Sequence, residues 1–237
     1  MTNRAEQQRQ FVDRWEAFKP PTSGAWEQKR RLATAMRCVI NRLVQSNAPE
    51  DQLRRAAEGL ERYAERLSDH PRLRRGDRDT PAPAEPDVGT FVDQSPLTGL
   101  ANPLAPPITL APEAEWCVVG RVTYDAAFEG PPGSVHGGYI AAAFDEVLGF
   151  VQAMSGTPGM TGTLTIRYRK PAPLHQPLHL IGEIVRVEDR KIFTEGRLLG
   201  ADDTLFAEGE SLFITPHPEQ YERMLAARSK HESEHSQ

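Results

Sequence analysis

Cysteine is nearly missing from this chain: Cys38 and Cys117 are the only two in 237 residues. Two lone, widely separated thiols form neither a disulfide framework nor a thiolate metal site, and each reads as a small packing residue. No stretch approaches the roughly 20 consecutive apolar residues that cross a bilayer. The N-terminal residues have no apolar signal core and carry Glu6, so the expected location is cytoplasmic, with no membrane partner. There is no phosphate loop ending in Gly-Lys-Ser/Thr and no Gly-x-Ser-x-Gly elbow, which removes the commonest nucleotide-hydrolysing and serine-hydrolase readings. His231 and His235 have an i, i+4 spacing, but they sit in a tail rich in Glu and Ser, and no metal is expected. Internal repeats are also missing.

Charge is plentiful and unevenly placed. Residues 1–78 hold 17 Lys and Arg against 11 Asp and Glu, whereas the remainder holds 11 against 22. The basic segment fits nucleic acid or an acidic partner, docking on the acidic rest of its own chain, or a solvated helical face. The last two are favoured, and nucleic acid is not an expected partner.

Within the basic segment, residues 26–46 have helical periodicity, with Leu32, Met36, Val39, Ile40, Leu43 and Val44 recurring at spacings of three and four; the hairpin they belong to is expected to pack against the main domain or a second subunit. Arg30, Arg31, Arg37 and Arg42 mostly fall on the other faces. A second helix over about 49–67 would turn Leu53, Ala57, Leu60, Tyr63 or Ala64, and Leu67 inward. A short connection makes the two a hairpin, and a further helix is expected at about 4–18. The organisation expected is a helical extension over 1–78, a charged, Pro-rich linker over 79–89, a main domain over 90–216 and a charged tail over 217–237.

From residue 114 the pattern changes to alternation. A strand near 116–124 precedes a Gly-Pro loop and a helix at about 137–154. Breakers at Ser155–Gly159 end that helix, and a four-stranded antiparallel meander follows: Met160–Arg169, Leu178–Glu188, Lys191–Leu199 and Thr204–Thr215. Thr161, Thr163, Thr165, Arg167 and Arg169 are expected on one face of the first of these strands, and Leu164, Ile166 and Tyr168 on the other. One helix wrapped by a curved sheet is an α+β arrangement.

The densest chemistry lies at Val135-His136-Gly137-Gly138-Tyr139, with Asp145-Glu146 downstream. The first-turn N–H groups of a helix lack intrahelical partners and sit in a positive dipole field. Asp145 follows Gly138 by two helical turns and shares its face. A carbonyl placed at the glycines would be polarised, with a carboxylate to attack it or to activate water. This pairing suits hydrolysis of an acyl bond. Glu146 points about 100° away around the helix and reads as structural or solvated.

The combination of Phe128-Glu-Gly-Pro-Pro-Gly133, His136-Gly-Gly138, Asp145, Thr161–Pro171 and Ala207–Ile214 resembles the hotdog fold. More closely, it resembles the 4-hydroxybenzoyl-CoA thioesterase superfamily of the phenylacetate-degradation type. The resemblance covers roughly residues 90–216 and implies an acyl-CoA thioesterase that needs no cofactor, coenzyme A being part of the substrate. It implies that Asp145 is the catalytic base or nucleophile and that the Gly138 amide contacts the thioester oxygen. His136 would hold the loop, and Thr161 would assist from a partner subunit. Gly137 and Tyr139 belong to the substrate-binding motif, and Arg167, Arg169 and Lys170 suit the phosphates of coenzyme A. The family builds its sites across a dimer interface, so a homodimer or higher oligomer is implied. The alternatives are an acyl-CoA-binding regulator with a basic helical arm, or a scaffold.

Overall fold

The computed structural model describes residues 23–71, 88–114, 116–157 and 159–217, together with Glu6, Arg9, Glu219, Gln220 and Arg223. Most of the expected helix at 4–18, most of the linker and most of the tail, with His231 and His235, lie outside the described residues; Glu6 and Arg9 are helical. The elements are α1 (Gly24–Leu43), α2 (Glu50–Ser68), α3 (Val88–Asp93), β1 (Thr109–Ala114), β2 (Cys117–Thr123), α4 (Gly137–Ala153), β3 (Met160–Tyr168), β4 (Pro177–Glu188), β5 (Lys191–Gly200) and β6 (Leu205–Ile214). Among the described residues, no helix is long and apolar enough to cross a membrane.

The central helix α4 forms because its apolar residues recur at helical spacing: Ile140, Ala143, Phe144, Val147, Leu148 and Val151 are all buried. They lie against a six-stranded antiparallel sheet of order β1-β2-β4-β5-β6-β3, the arrangement that the hotdog resemblance implies. Gly182, Gly196 and Gly209 are direct cross-strand neighbours on β4, β5 and β6. A Cβ at Gly209 would stand 2.5 Å from the Phe144 ring, and one at Gly196 would stand 3.2 Å from both Phe144 and Leu148. This glycine row is the seat into which the helix settles. Complete burial of Phe144 and Leu148 there contributes about 1.5–3 kcal/mol per side chain.

The sheet corrects two expectations. β3 does not begin a four-stranded meander. The edge of β4 that it would need is taken by β2, where Val118 pairs with Gly182, so β3 joins β6 at the far edge. The extra strand β1 lacked alternation and carries Pro112. A proline is tolerated only on an edge or at a bulge, and β1 is both, with its register shifting between Pro112 and Ala114.

The helical hairpin docks by its polar face. Ser23 caps α1 by accepting from the Trp26 N–H at 3.2 Å. The Trp26 indole then donates to Asp93 at 2.5 Å, and Arg30 grips the same carboxylate at 2.8 and 3.0 Å. Arg37 donates to the Leu100 and Asn102 carbonyls, and Asn41 pairs with Asp125 and the Ala127 N–H. Two arginines of the basic segment thus dock on their own chain. The buried residues of α1 are Trp26 and Ala33. Leu32 is half-buried, but the rest of the apolar stripe, Met36, Val39, Ile40, Leu43 and Val44, is exposed, Val44 by 59%. On α2, Leu53, Leu60 and Leu67 are likewise exposed. The reason is that a buried carboxylate demands its donors more strongly than an aliphatic stripe demands cover. Cys38 is exposed as well, not packed, while Cys117 is half-buried on β2 and burial pushes its thiol pKa up.

Asp93, only 6% exposed, is the clasp between arm and domain. Asp93→Ala leaves the Trp26 indole and the Arg30 guanidinium without their acceptor. It is expected to cost about 3 kcal/mol in a denaturant titration; a loss under half that size would mean the arm is held elsewhere.

Candidate active site

The start of α4 is assembled from a close-packed loop. The His136 N–H donates to the Phe128 carbonyl at 2.8 Å. Gly130 lies so near that a Cβ would meet the His136 Cα at 2.7 Å. His136 is the N-cap, its Nδ1 accepting from the Gly138 N–H at 3.0 Å, which places the ring proton on Nε2. The Gly137 N–H has no hydrogen-bond partner among the described residues. The Gly137 carbonyl accepts from the Tyr168 hydroxyl of β3 at 2.8 Å. Phe128 stands edge-on to both Tyr124 and Tyr139. Burial pushes the Tyr124 phenol well above its ordinary pKa, so it remains a donor to the Tyr139 carbonyl, at 3.3 Å. The helix start therefore offers one open amide, at Gly137, and one, at Gly138, already given to the His136 ring.

Asp145 lies at a second place. Its Oδ1 accepts from the Thr161 hydroxyl at 2.8 Å. Thr161 was expected on the same face as Thr163, Thr165, Arg167 and Arg169. A bulge at Gly162 breaks the alternation, so that Thr161 pairs with Phe213 and Thr163 with Leu212, and Thr161 turns to the helix side. The contact lies within one chain, whereas the resemblance had placed this Thr on the partner's side. Beside the pair opens a cavity of about 470 Å³, lined by Phe91, Leu110, Phe150, Met160 and Phe213 among others. Of the two roles expected for Glu146 the structural one fits: half-buried, its Oε1 accepts from Ser95 and Thr98, each at 3.1 Å.

The cavity shares no residue with the His136–Tyr139 motif. Gly138 and Asp145 share a helix face, but two turns are about 10 Å along the axis. Within one chain they cannot act on one carbonyl together, as their spacing had suggested. A larger cavity, about 640 Å³, at the seam of α1 with β2 and β4 also contains neither Asp145 nor the motif.

Arg167 and Arg169 are exposed on the outer face of β3, ion-paired to Glu210 and Glu208 of β6. The Glu210 hydrogen bond raises the Arg167 pKa further. Lys170 forms no ion pair among the described residues. Tyr168, Ser95, Thr98 and Phe91 were missed as site residues. The alternation of β3 did set Tyr168 on the face opposite Arg167 and Arg169, but nothing local marks the other three.

The thioesterase superfamily model matches residues 132–207. A solved thioesterase superfamily protein is 36% identical, covers 83% of this chain and 97% of its own, and superposes with a TM-score of 0.69. The acyl-coenzyme A thioesterase THEM4 of Mus musculus is 37% identical over 92 residues, 38% of this chain and 40% of that protein. The same-named Xenopus laevis protein is 37% identical over 87 residues, 36% of this chain and 39% of its own. The chain thus matches about two-fifths of the length of these curated relatives.

At the helix start, His136→Ala removes a cap and is expected to lower stability by about 1 kcal/mol, whereas His136→Asn, itself a strong cap, should restore most of it. Thermal unfolding of both variants checks this; equal losses would mean that His136 acts through something other than capping.

Proposed function

The chain belongs to the thioesterase superfamily, and we propose that it hydrolyses the thioester of an acyl-CoA to a free acid and coenzyme A. The observation that carries the proposal is Asp145 held by Thr161 at the mouth of an apolar cavity. Thr161 occupies Oδ1 and orients the carboxylate, leaving Oδ2 for a water. Asp145 takes a proton from that water as the oxygen attacks the thioester carbonyl. The tetrahedral oxyanion is met by backbone amides of a helix start. Gly137 supplies the open N–H; Gly138 contributes by sharing its N–H with, or releasing it from, the His136 ring. Collapse breaks the carbon–sulfur bond, and the departing thiolate recovers the proton from Asp145. Water, base and donors complete the chemistry, so no cofactor is proposed. Lys170, unlike its ion-paired neighbours Arg167 and Arg169, is free for a phosphate of the coenzyme.

The helix start that serves Asp145 belongs to a second copy of the chain. The support is geometric: both sites are incomplete alone, and β3 is a nine-residue edge strand with one side unpaired among the described residues. Thr161 sits at one end of β3 and Tyr168, which holds Gly137, near the other, about 23 Å away. Antiparallel pairing of two β3 edges about Leu164 and Thr165 sets Thr161 of one copy beside Tyr168 of the other. It does so twice, giving two equivalent sites per dimer.

Release of CoA thiol from a panel of acyl-CoAs tests the chemistry. Asp145→Asn is expected to lower kcat by about 10²- to 10⁴-fold, and a wild-type rate in that variant would sink the assignment. The shared site has its own test: mixing unfolded Asp145→Asn with an inactive helix-start variant, Gly137→Val, and refolding them together. Each mixed dimer then carries one intact site, so activity should return to about a quarter of wild type. No recovery, with mixed dimers shown to form, would place both halves of the site in one chain.

A further inference from the structure

The wall of the Asp145 cavity opposite β3 comes from α3 and the turn after it, ahead of the 132–207 stretch. Phe91, Val92, Ser95 and Thr98 all line the cavity. Two carboxylate contacts hold this short segment, one made by Glu146 of the domain and one by the segment's own Asp93. From the domain, Glu146 accepts from Ser95 and Thr98. From the arm, Trp26 and Arg30 hold Asp93. The backbone between them is tied down too, with the Ala101 N–H on the Asp93 carbonyl at 3.0 Å and the Ser95 hydroxyl accepting from the Leu97 N–H at 3.2 Å. Phe91 itself is 41% exposed, so its ring belongs to the cavity wall and not to the core.

We propose that α3 is the specificity wall of the site, with Phe91 setting how far an acyl group can extend and Glu146 as the positioning residue that holds the wall. The proposal rests on the reading of the Asp145 cavity as an acyl-CoA site. Among the described residues, the cavity lining includes Asp145 and Glu146 but no Lys, Arg or His. Its charge therefore turns away acyl groups that end in a carboxylate, while Phe91, Leu110, Phe150 and Phe213 favour uncharged, apolar ones. Glu146 lies one residue from Asp145, so the wall and the base are referenced to the same turn of α4. The arm enters the same chain of contacts through Asp93.

The test is a selectivity profile, not an activity loss. The ratio of kcat/KM for a long to a short straight-chain acyl-CoA is measured in wild type, Phe91→Ala, Phe91→Trp, Glu146→Leu and Glu146→Gln. Phe91→Ala is expected to raise the ratio by about tenfold or more, the scale of a methylene-sized change in a pocket, and Phe91→Trp to lower it. Glu146→Leu removes the acceptor and should shift the ratio as Phe91→Ala does. Glu146→Gln keeps an acceptor and should restore the wild-type ratio. Unchanged ratios in both Phe91 variants would overturn the wall, and equal ratios in the two Glu146 variants would overturn the positioning role. Should no acyl-CoA be turned over, the hydrolase reading fails by itself. The same ratios are then read as Kd values for non-hydrolysable thioether analogues of acyl-CoA, with the same two outcomes deciding the wall.

Discussion

The close approach of α4 to the sheet is the constraint on which the rest of this structure depends. Phe144 and Leu148 reach the backbone of β4, β5 and β6 only because Gly182, Gly196 and Gly209 leave space there. A helix seated this deeply has little freedom to rotate or slide, since packed interiors transmit even methyl-sized changes. Its fixed rotation sets Asp145 toward Thr161 and Glu146 toward Ser95 and Thr98. Its fixed axial position sets the Gly137 carbonyl within reach of Tyr168. Each polar contact of the site is a consequence of that apolar seat.

The two ends of the helix supply different halves of the chemistry. The N-terminal end offers backbone donors in a positive dipole field, one open at Gly137 and one taken by the His136 ring, with the Tyr168 hydroxyl on the Gly137 carbonyl. The middle offers a carboxylate oriented by one hydroxyl. β3 touches both, through Tyr168 and Thr161, and spans the distance that keeps them apart. The strand that separates the two halves within a chain also lies at an edge of the sheet, so it is where a second copy would join them.

Much of the domain was legible in the sequence. The helix at 137–153 announced itself by apolar spacing and a glycine pair, and β3 to β6 by alternation between turn signals. Pairing order was not legible, because the partner of β3 is decided by which edges β2 leaves vacant. The glycine row was invisible, since residues 182, 196 and 209 meet only after registration. Thr161 was found, but on the wrong face, because a bulge at Gly162 reverses the alternation and glycine alone does not announce one. Which face of the hairpin docks on the domain was not legible, because periodicity shows that a helix has two faces without showing which one docks. Here Asp93, far along the chain, made that choice.

The clasp at Asp93 has a practical consequence for shortening this protein. Cutting the chain between α2 and α3 looks harmless, because the break falls in a charged, Pro-rich stretch and the remaining domain keeps its whole sheet and central helix. The cut would nonetheless strip a carboxylate of its indole and guanidinium donors. It would also expose the underside of the segment that lines the cavity. A trimmed protein that folds but binds differently would therefore report the loss of a distant support, not a property of the isolated domain.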